Sequence, residues 1–529
     1  MEMLDFVDLD RSDAFKKLVN SGRPAGLKTL LDTGRIEEYS IPAGGGLTFN
    51  YAARSVDEDT LSLLTRLAAE QQLAAKYRAL VSGAVMNTGE NRMVLHHLMR
   101  GQLGDDVVTD GRNLREFYAG EMRRVGDFAA KVHKGTVAGS TGKAFDTVVQ
   151  IGIGGSDLGP RALYIALKNF ARAAGTEKMR AEFISNVDPD DARAVLSSVN
   201  LESTLFILVS KSGTTQETLT NRDFVVKAME ETGIPGLDPA GHFIAVTSET
   251  SPLAGNRDVL DAFFIDDNIG GRYSATSSVG GVVLSLAFGP EVFSELLAGA
   301  HEADALGLET DPLKNAGMLD ALIGVYERNV LNIPCSAVLP YSQALLRFPA
   351  HLQQLDMESN GKSVNRRGEP VGYSTGPIIF GEPGTNGQHS FYQLLHQGTD
   401  TVSLQFIGFR EPQVPADIVT NGSTSQTKLN ANLAAQITAF ALGKNDTDAN
   451  KSFAGNRPSS LIYGQTLTPR SLGALLAHFE NKVMFQGFLW NINSFDQEGV
   501  QLGKVLTNQV LSEKQVDPVL AAYANLLGL

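Results

Sequence analysis

The spacing of hydrophobic residues changes once along the chain. Up to about residue 135 they recur every three to four positions, as in residues 59–81 and 114–135, which predicts amphipathic helices. From residue 147 onward, short runs rich in Val, Ile and Phe alternate with helix-like segments such as 160–174 and 190–199. These runs predict strands at 147–153, 181–187, 204–210 and 242–248. The alternation predicts a parallel sheet with helices on both faces.

A second set of alternating segments follows residue 286. Helical patterns at 292–306 and 316–331 lead into strand-like runs at 335–341 and 401–409, and the last 60 residues are again helical in pattern. We therefore predict an α/β fold with two lobes, each a parallel sheet flanked by helices. The predicted parts are an N-terminal helical region (1–135), a first lobe (136–285), a second lobe (286–510) and a C-terminal helical arm (511–529).

Composition narrows the class of protein. The 529 residues exceed what one hydrophobic core usually holds, and 43% hydrophobic with 20% charged residues is typical of a soluble globular protein. The chain has no apolar run of about 18 residues and no signal-like segment at its acidic N-terminus, which predicts a cytoplasmic protein. A net charge of −14 argues against nucleic acids and membranes as partners. The single cysteine, Cys335, excludes a disulfide within the chain.

The first candidate site is the glycine-rich stretch "TVVQIGIGGSDLGP" at residues 147–160. A strand that breaks into glycines before a helix can present backbone N–H groups to a phosphate. The dinucleotide fingerprint would need a third glycine where Asp157 stands, and the P-loop pattern is absent. Gly154 and Gly155 permit a close approach, and Ser156 adds a hydroxyl. A tight strand-to-helix turn without a ligand remains the alternative for this stretch alone.

The second candidate site is "VSKSGTTQET" at residues 209–218, at the end of the third predicted strand. Four hydroxyls surround Gly213, namely those of Ser210, Ser212, Thr214 and Thr215. Hydroxyls and free N–H groups at the start of a helix can surround a dianion, which the helix dipole also attracts. The alternative is a helix N-cap in which Glu217 completes a capping box. Four hydroxyls are more than a cap requires.

Two such loops at successive strand ends resemble the sugar isomerase (SIS) domains that bind sugar phosphates. A more specific resemblance rests on seven segments spread over nearly the whole chain, namely "NTGENRMVLH" (87–96), "GIGGSDLGP" (152–160), "SKSGTTQET" (210–218), "GGRYSATSSVG" (270–280), "QLDMESNGK" (354–362), "GTNGQHSFYQLLHQGT" (384–399) and "FDQEGVQLGK" (495–504). In these segments the chain is similar to the glucose-6-phosphate isomerase family. It departs from the family pattern at the Ser212-Gly213 pair and at Glu498.

The resemblance implies the reversible isomerisation of glucose 6-phosphate and fructose 6-phosphate, by ring opening and a C2/C1 proton transfer through a cis-enediol(ate). One carboxylate suffices as the base. The matched motifs imply Glu358 as that base, Arg272 as the cation beside the developing negative charge, and His389 and Lys504 as the groups that open the ring. They also imply a set of substrate-binding residues, namely Gly155, Ser156, Ser210, Lys211, Ser212, Thr214, Thr215, Gln354 and Gln497.

The resemblance implies no metal and no cofactor, and its only small-molecule partner is a sugar phosphate. It also implies a homodimer in which His389 completes the site of the partner chain. Two alternatives are a non-catalytic SIS protein that binds sugar phosphates and a nicotinamide-dependent oxidoreductase. The presence of Glu358, Arg272, His389 and Lys504 together favours the isomerase, because a binding protein has no reason to keep all four.

Overall fold

The first sheet forms from the continuous apolar runs. In the computed structural model, which describes residues 4–22, 24–512 and 516–529, five parallel strands build this sheet. Helices cover both faces of the sheet, so every residue of its three central strands is buried. In sheet order the strands are Arg180–Ile184, Thr147–Ile151, Thr204–Val209, Phe243–Thr247 and Ala262–Phe264.

The second sheet combines four parallel strands with an antiparallel hairpin from the N-terminal region. The hairpin pairs with the last parallel strand, with Phe49 opposite Ile462. It therefore ties the first 50 residues to the second lobe. In sheet order the strands are Ile378–Phe380, Cys335–Pro340, Ser403–Phe409, Ser459–Gly464, Leu47–Asn50 and Ser40–Gly44. Two further strand pairs, Val108–Thr109 with Arg112–Asn113 and Val419–Thr420 with Ser423–Thr424, form small separate hairpins.

Helices surround the two sheets and fill the space between them. The helices before the first sheet are Asp13–Asn20, Leu27–Leu30, Thr33–Glu38, Glu58–Glu70, Leu73–Val81 and Leu114–His133. Those of the first lobe are Leu158–Ala174, Pro189–Ser197, Gln216–Glu231 and Ser278–Phe288. The remaining helices are Pro290–Leu306, Ala316–Asn329, Phe348–Gln353, Tyr392–Gln397, Ser425–Leu442, Pro469–Leu489, Gln501–Leu511 and Pro518–Leu526.

The core is continuous from one lobe to the other. Helix Pro469–Leu489 is buried along its length except at Arg470, and it packs against Pro290–Leu306 and Ala316–Asn329. The predicted fold class, two α/β lobes with parallel strands and flanking helices, is confirmed. Among the described residues, none of the helices combines the length and the apolar character needed to span a membrane.

Candidate active site

The serine- and threonine-rich loop 210–215 joins the buried strand Thr204–Val209 to helix Gln216–Glu231. At its centre Gly213 has φ +70°, and an added Cβ would lie 2.1 Å from Ser251 Oγ, so the turn requires glycine. Thr215 is the N-cap residue of the helix, yet its side chain makes no capping hydrogen bond. The predicted alternative, a capping box, is therefore not formed.

The hydroxyls of this loop are turned toward one another. Ser210 Oγ lies 2.9 Å from Thr215 Oγ1, and Thr214 Oγ1 donates to Ser212 Oγ at 3.0 Å. Ser210 is buried, and the hydroxyl of Thr247 holds its carbonyl oxygen at 2.7 Å, whereas Ser212 and Thr214 are exposed. The loop is thus anchored on its inner side and open on its outer side, where an anion can reach its hydroxyls.

The glycine turn 152–156, which follows strand Thr147–Ile151, packs directly against the segment that carries Arg272. A Cβ added at Gly155 would lie 2.2 Å from the carbonyl carbon and oxygen of Gly271, so the two backbones are in contact. Gly154, with φ +63°, faces the side-chain amide of Gln354, because its added Cβ would lie 3.3 Å from Gln354 Nε2. The turn therefore places Ser156 beside two further predicted site residues.

Arg272 and Glu358 form the centre of the site. Arg272 is 1% exposed, and its Nη1 lies 3.7 Å from Glu358 Oε1. The other side of the guanidinium is fixed: Nη2 donates to the carbonyl oxygens of Ser494 at 2.6 Å and Asp496 at 2.9 Å. Glu358 Oε2 is buried and has no hydrogen-bond partner among the described residues. A fixed cation and a carboxylate with a free oxygen therefore lie side by side.

Glu358 lies at the end of a π-helical turn, Gln354–Glu358, which continues helix Phe348–Gln353. Gln354 and Glu358 are therefore the first and last residues of a turn that is wider than an ordinary α-helical turn. Single π-helical turns within α-helices are frequent at functional sites. Asp356 on the buried side of the turn has a pKa raised to about 7 by burial, with Lys482 opposing the shift.

A cavity of about 550 Å³ lies beside this centre, at the carboxyl ends of the first sheet's strands. Open parallel sheets bind their ligands at this edge. Gly270, Gly271 and Tyr273, which flank Arg272, form part of the wall. Seven of the predicted residues line the cavity, namely Ser156, Ser210, Lys211, Ser212, Thr215, Gln497 and Lys504. Gly155, Thr214, Gln354, Arg272 and Glu358 adjoin it through the contacts described above.

Three of the lining residues are cationic, namely Arg92, Lys211 and Lys504, in a chain of net negative charge. Lys211 Nζ donates to the carbonyl oxygens of Asp267 and Ile269, both at 3.1 Å. The Asp267 carboxylate lies 3.5 Å from Lys211 Nζ and 3.5 Å from Arg92 Nη2. Burial lowers the pKa of Lys211, although Asp267 opposes this. The sequence indicates Lys211, but it does not single out Arg92, which lies within the similar segment 87–96.

Other residues that line the cavity are likewise not predicted by the sequence. One of them, Asn87, is held from a distant segment, because Asn493 Nδ2 donates to Asn87 Oδ1 at 3.0 Å and to Asp496 Oδ2 at 2.8 Å. No local motif encodes such contacts. The lining residues that were not predicted include Asn87, Glu90, Arg92, Asp267, Asn268, Tyr273 and Phe495.

His389 lies apart from the other predicted residues. It is exposed on the short 3₁₀ turn Asn386–His389, which precedes helix Tyr392–Gln397, and it is not among the residues that line the cavity. Lys504, in contrast, is exposed at the cavity on helix Gln501–Leu511. The single chain therefore brings Lys504 to the cavity and leaves His389 at the surface.

Comparison with known proteins identifies the family. The model of the phosphoglucose isomerase family matches residues 50–525. The glucose-6-phosphate isomerase of Treponema denticola is 59% identical, over 99% of this chain and 100% of its own. That of Borreliella burgdorferi is 48% identical, over 99% of both chains. The crystal structure of the enzyme from Chlamydia trachomatis superposes with a TM-score of 0.91 at 42% identity, over 99% of both chains. The resemblance inferred from the motifs is thereby confirmed, and the chain belongs to the phosphoglucose isomerase family.

Proposed function

We propose that this protein is an enzyme that interconverts glucose 6-phosphate and fructose 6-phosphate. The observation that carries the proposal is the Arg272–Glu358 pair, at 3.7 Å, beside a cavity lined by the hydroxyl loop. An aldose and a ketose phosphate differ by one proton shift between C2 and C1, and this shift needs one base and one fixed positive charge. The relatives named above carry the same activity in their names.

The proton transfer is assigned to Glu358. With the sugar in its open form, the carboxylate takes the proton from C2 and returns it to C1, while the proton on the C2 hydroxyl leaves and one is added at O1. The product is the ketose, and the reaction is reversible. Arg272 Nη1 supports the negative charge on the enediolate oxygens, because its other donors are already occupied.

Binding of the phosphate is assigned to the loop 210–215. Ser210, Ser212, Thr214 and Thr215 supply hydroxyls at the N-terminus of helix Gln216–Glu231, and Lys211 supplies a positive charge at the same cavity. Gly155 and Ser156 present backbone and hydroxyl groups from the neighbouring strand end. Gln354 and Gln497 contact the sugar hydroxyls.

Ring opening is assigned to His389 and Lys504, and this assignment requires a homodimer. His389 is exposed and does not line its own chain's cavity, so we assign it to the site of the partner subunit. Helix Pro518–Leu526 of the C-terminal arm (511–529) offers a surface for that partner, because none of its residues is buried and Val519, Tyr523 and Leu526 are exposed. The boundaries at residues 135, 285 and 510 and a cytoplasmic location belong to the same proposal.

A coupled assay tests the reaction. Purified protein supplied with fructose 6-phosphate should produce glucose 6-phosphate, which a dehydrogenase detects as it reduces its nicotinamide cofactor. Unphosphorylated fructose at the same concentration is the control and should react very poorly, because the loop 210–215 then has no dianion to bind. Absence of glucose 6-phosphate would contradict the proposal, and binding of the sugar phosphate without turnover would favour the non-catalytic alternative.

Mixed dimers test the shared site. A Glu358→Gln chain and a His389→Ala chain, each inactive alone, are unfolded and refolded together in equal amounts. In a mixed dimer one site receives both defects and the other receives none, so roughly a quarter of wild-type activity should return. If both residues came from one chain, every site would carry a defect. Persistent inactivity, with mixed dimers shown to form, would refute the shared site and leave the assignment of the base unaffected.

A further inference from the structure

The hydrogen bonds of Arg272 leave one nitrogen for the reaction. A guanidinium has five N–H donors in a planar fork. Nε donates to Ser359 Oγ at 2.6 Å, and Nη2 donates to the carbonyl oxygens of Ser494 and Asp496. Only Nη1 has no such acceptor among the described residues, and it is the nitrogen that lies 3.7 Å from Glu358.

Ser359 connects Glu358 and Arg272, the two residues at the centre of the site. It is the residue after Glu358 and is fully buried, at 0% exposure. Its Oγ accepts the hydrogen bond from Arg272 Nε and lies 3.0 Å from the hydroxyl of Tyr273. The acceptors at residues 494 and 496 belong to a different segment of the chain. Among the described hydrogen bonds of Arg272, the one to Ser359 alone reaches the turn that carries Glu358.

We propose that Ser359 is a positioning residue for the isomerisation: it fixes the guanidinium of Arg272 relative to the carboxylate of Glu358. The inference rests on the proposed function. Without the Oγ acceptor, the buried Nε–H loses its partner and the guanidinium is tied to one segment instead of two. A displacement of about 1 Å in a catalytic centre costs on the order of 10² in rate. The hydroxyls of loop 210–215 do not contact Ser359, so substrate binding should be retained.

The test compares variants of Ser359 with a matched serine. Ser359→Ala removes the acceptor. Ser359→Cys fills the same space with sulfur, a weaker acceptor, and this variant is measured if the alanine variant does not fold. The control is Ser403→Ala. Ser403 is also buried, and it likewise accepts from an arginine, Arg54, and donates to the carboxylate of Glu327 at 2.7 Å. It lies at the first residue of strand Ser403–Phe409, outside the cavity lining.

Steady-state kinetics separates positioning from a general loss of structure. In the Ser359 variants kcat should fall by about 10- to 100-fold, while KM for fructose 6-phosphate stays within about threefold. Ser403→Ala should keep kcat within about twofold of wild type, even if its melting temperature falls as much as that of the Ser359 variants. A folded Ser359 variant that retains the kcat of Ser403→Ala would overturn the inference, as would a rise in KM with kcat unchanged.

A crystal structure of the Ser359 variant gives a readout that does not depend on activity. The inference predicts that the distance from Arg272 Nη1 to the nearest Glu358 oxygen increases beyond 3.7 Å or that the guanidinium rotates. An unchanged arrangement would overturn it. If the wild-type protein itself failed to interconvert the two sugar phosphates, the proposed function would fail, and this structure would still decide whether Ser359 positions Arg272.

Discussion

Replacing Gly155 by alanine should disrupt the site through its backbone. The new Cβ would lie 2.2 Å from Gly271 C and O and 2.8 Å from Arg272 N. Ordinary contacts of this kind begin near 3.4 Å, so the two segments must separate by about 1 Å. Overpacking of a well-packed region typically costs about 1–3 kcal/mol, and a clash with backbone atoms belongs at the upper end, near 3 kcal/mol. The displaced segment carries Arg272, and about 1 Å of misplacement costs on the order of 10² in kcat/KM.

Gly120→Ala provides the matched control for this substitution. Gly120 lies within helix Leu114–His133, and the nearest atom to its added Cβ is Arg123 Nη2 at 3.8 Å. Alanine there should stabilise the protein by about 0.4–1 kcal/mol and leave the kinetics unchanged. Urea unfolding and coupled kinetics are measured on both variants. If Gly155→Ala kept kcat/KM within threefold of Gly120→Ala, the argument from the close backbone approach would be refuted.

Three further predictions follow from the site. Glu358→Gln should lower kcat by roughly 10³, while sugar-phosphate binding, measured by calorimetry, persists. If the variant kept more than a tenth of wild-type turnover, another residue would have to be the base. Ser212→Ala and Thr215→Ala should raise KM more than they lower kcat, and an unchanged KM in both would refute the phosphate assignment. Asp356→Asn should become more stable relative to wild type as the pH rises from 4 to 7. The native pKa of Asp356 is about 7 and the unfolded value is 3.8, so ionisation destabilises the wild-type protein over this range, whereas asparagine stays neutral. Urea unfolding curves of the two proteins that differ no more at pH 7 than at pH 4 would contradict this.

The parts of the fold that the sequence predicts are those encoded by local patterns. The runs around Thr147–Ile151 and Thr204–Val209 are continuous and apolar because both faces of these strands are buried, so their pattern identifies them. The hairpin strand Leu47–Asn50 has only four residues and pairs with Ser459–Gly464, more than 400 positions away. No local periodicity encodes such a pairing, and the pattern of the first 135 residues predicts only helices.

The site was predicted where glycines and hydroxyls mark strand ends, and was incomplete where distant segments meet. Ser210 and Ser156 follow recognisable strands, so the edge of the sheet brings them together. Arg92 depends on its contact with Asp267, 175 positions further on, which a sequence alone does not reveal. The hydrogen bond from Arg272 to Ser359 likewise depends on tertiary packing, as does the π-helical turn before it.

The central claim is that this chain moves a proton between C1 and C2 of a hexose phosphate through an enediol(ate). Incubation of fructose 6-phosphate with the protein in D₂O, followed by NMR, tests it most directly, because a proton held by a carboxylate base can exchange with solvent before it returns to carbon. The account predicts glucose 6-phosphate that gains deuterium at C2 over repeated turnovers, and none formed at a comparable rate by the Glu358→Gln variant. Glucose 6-phosphate that forms but stays free of deuterium at C2 after many turnovers, or no glucose 6-phosphate at all, would contradict it.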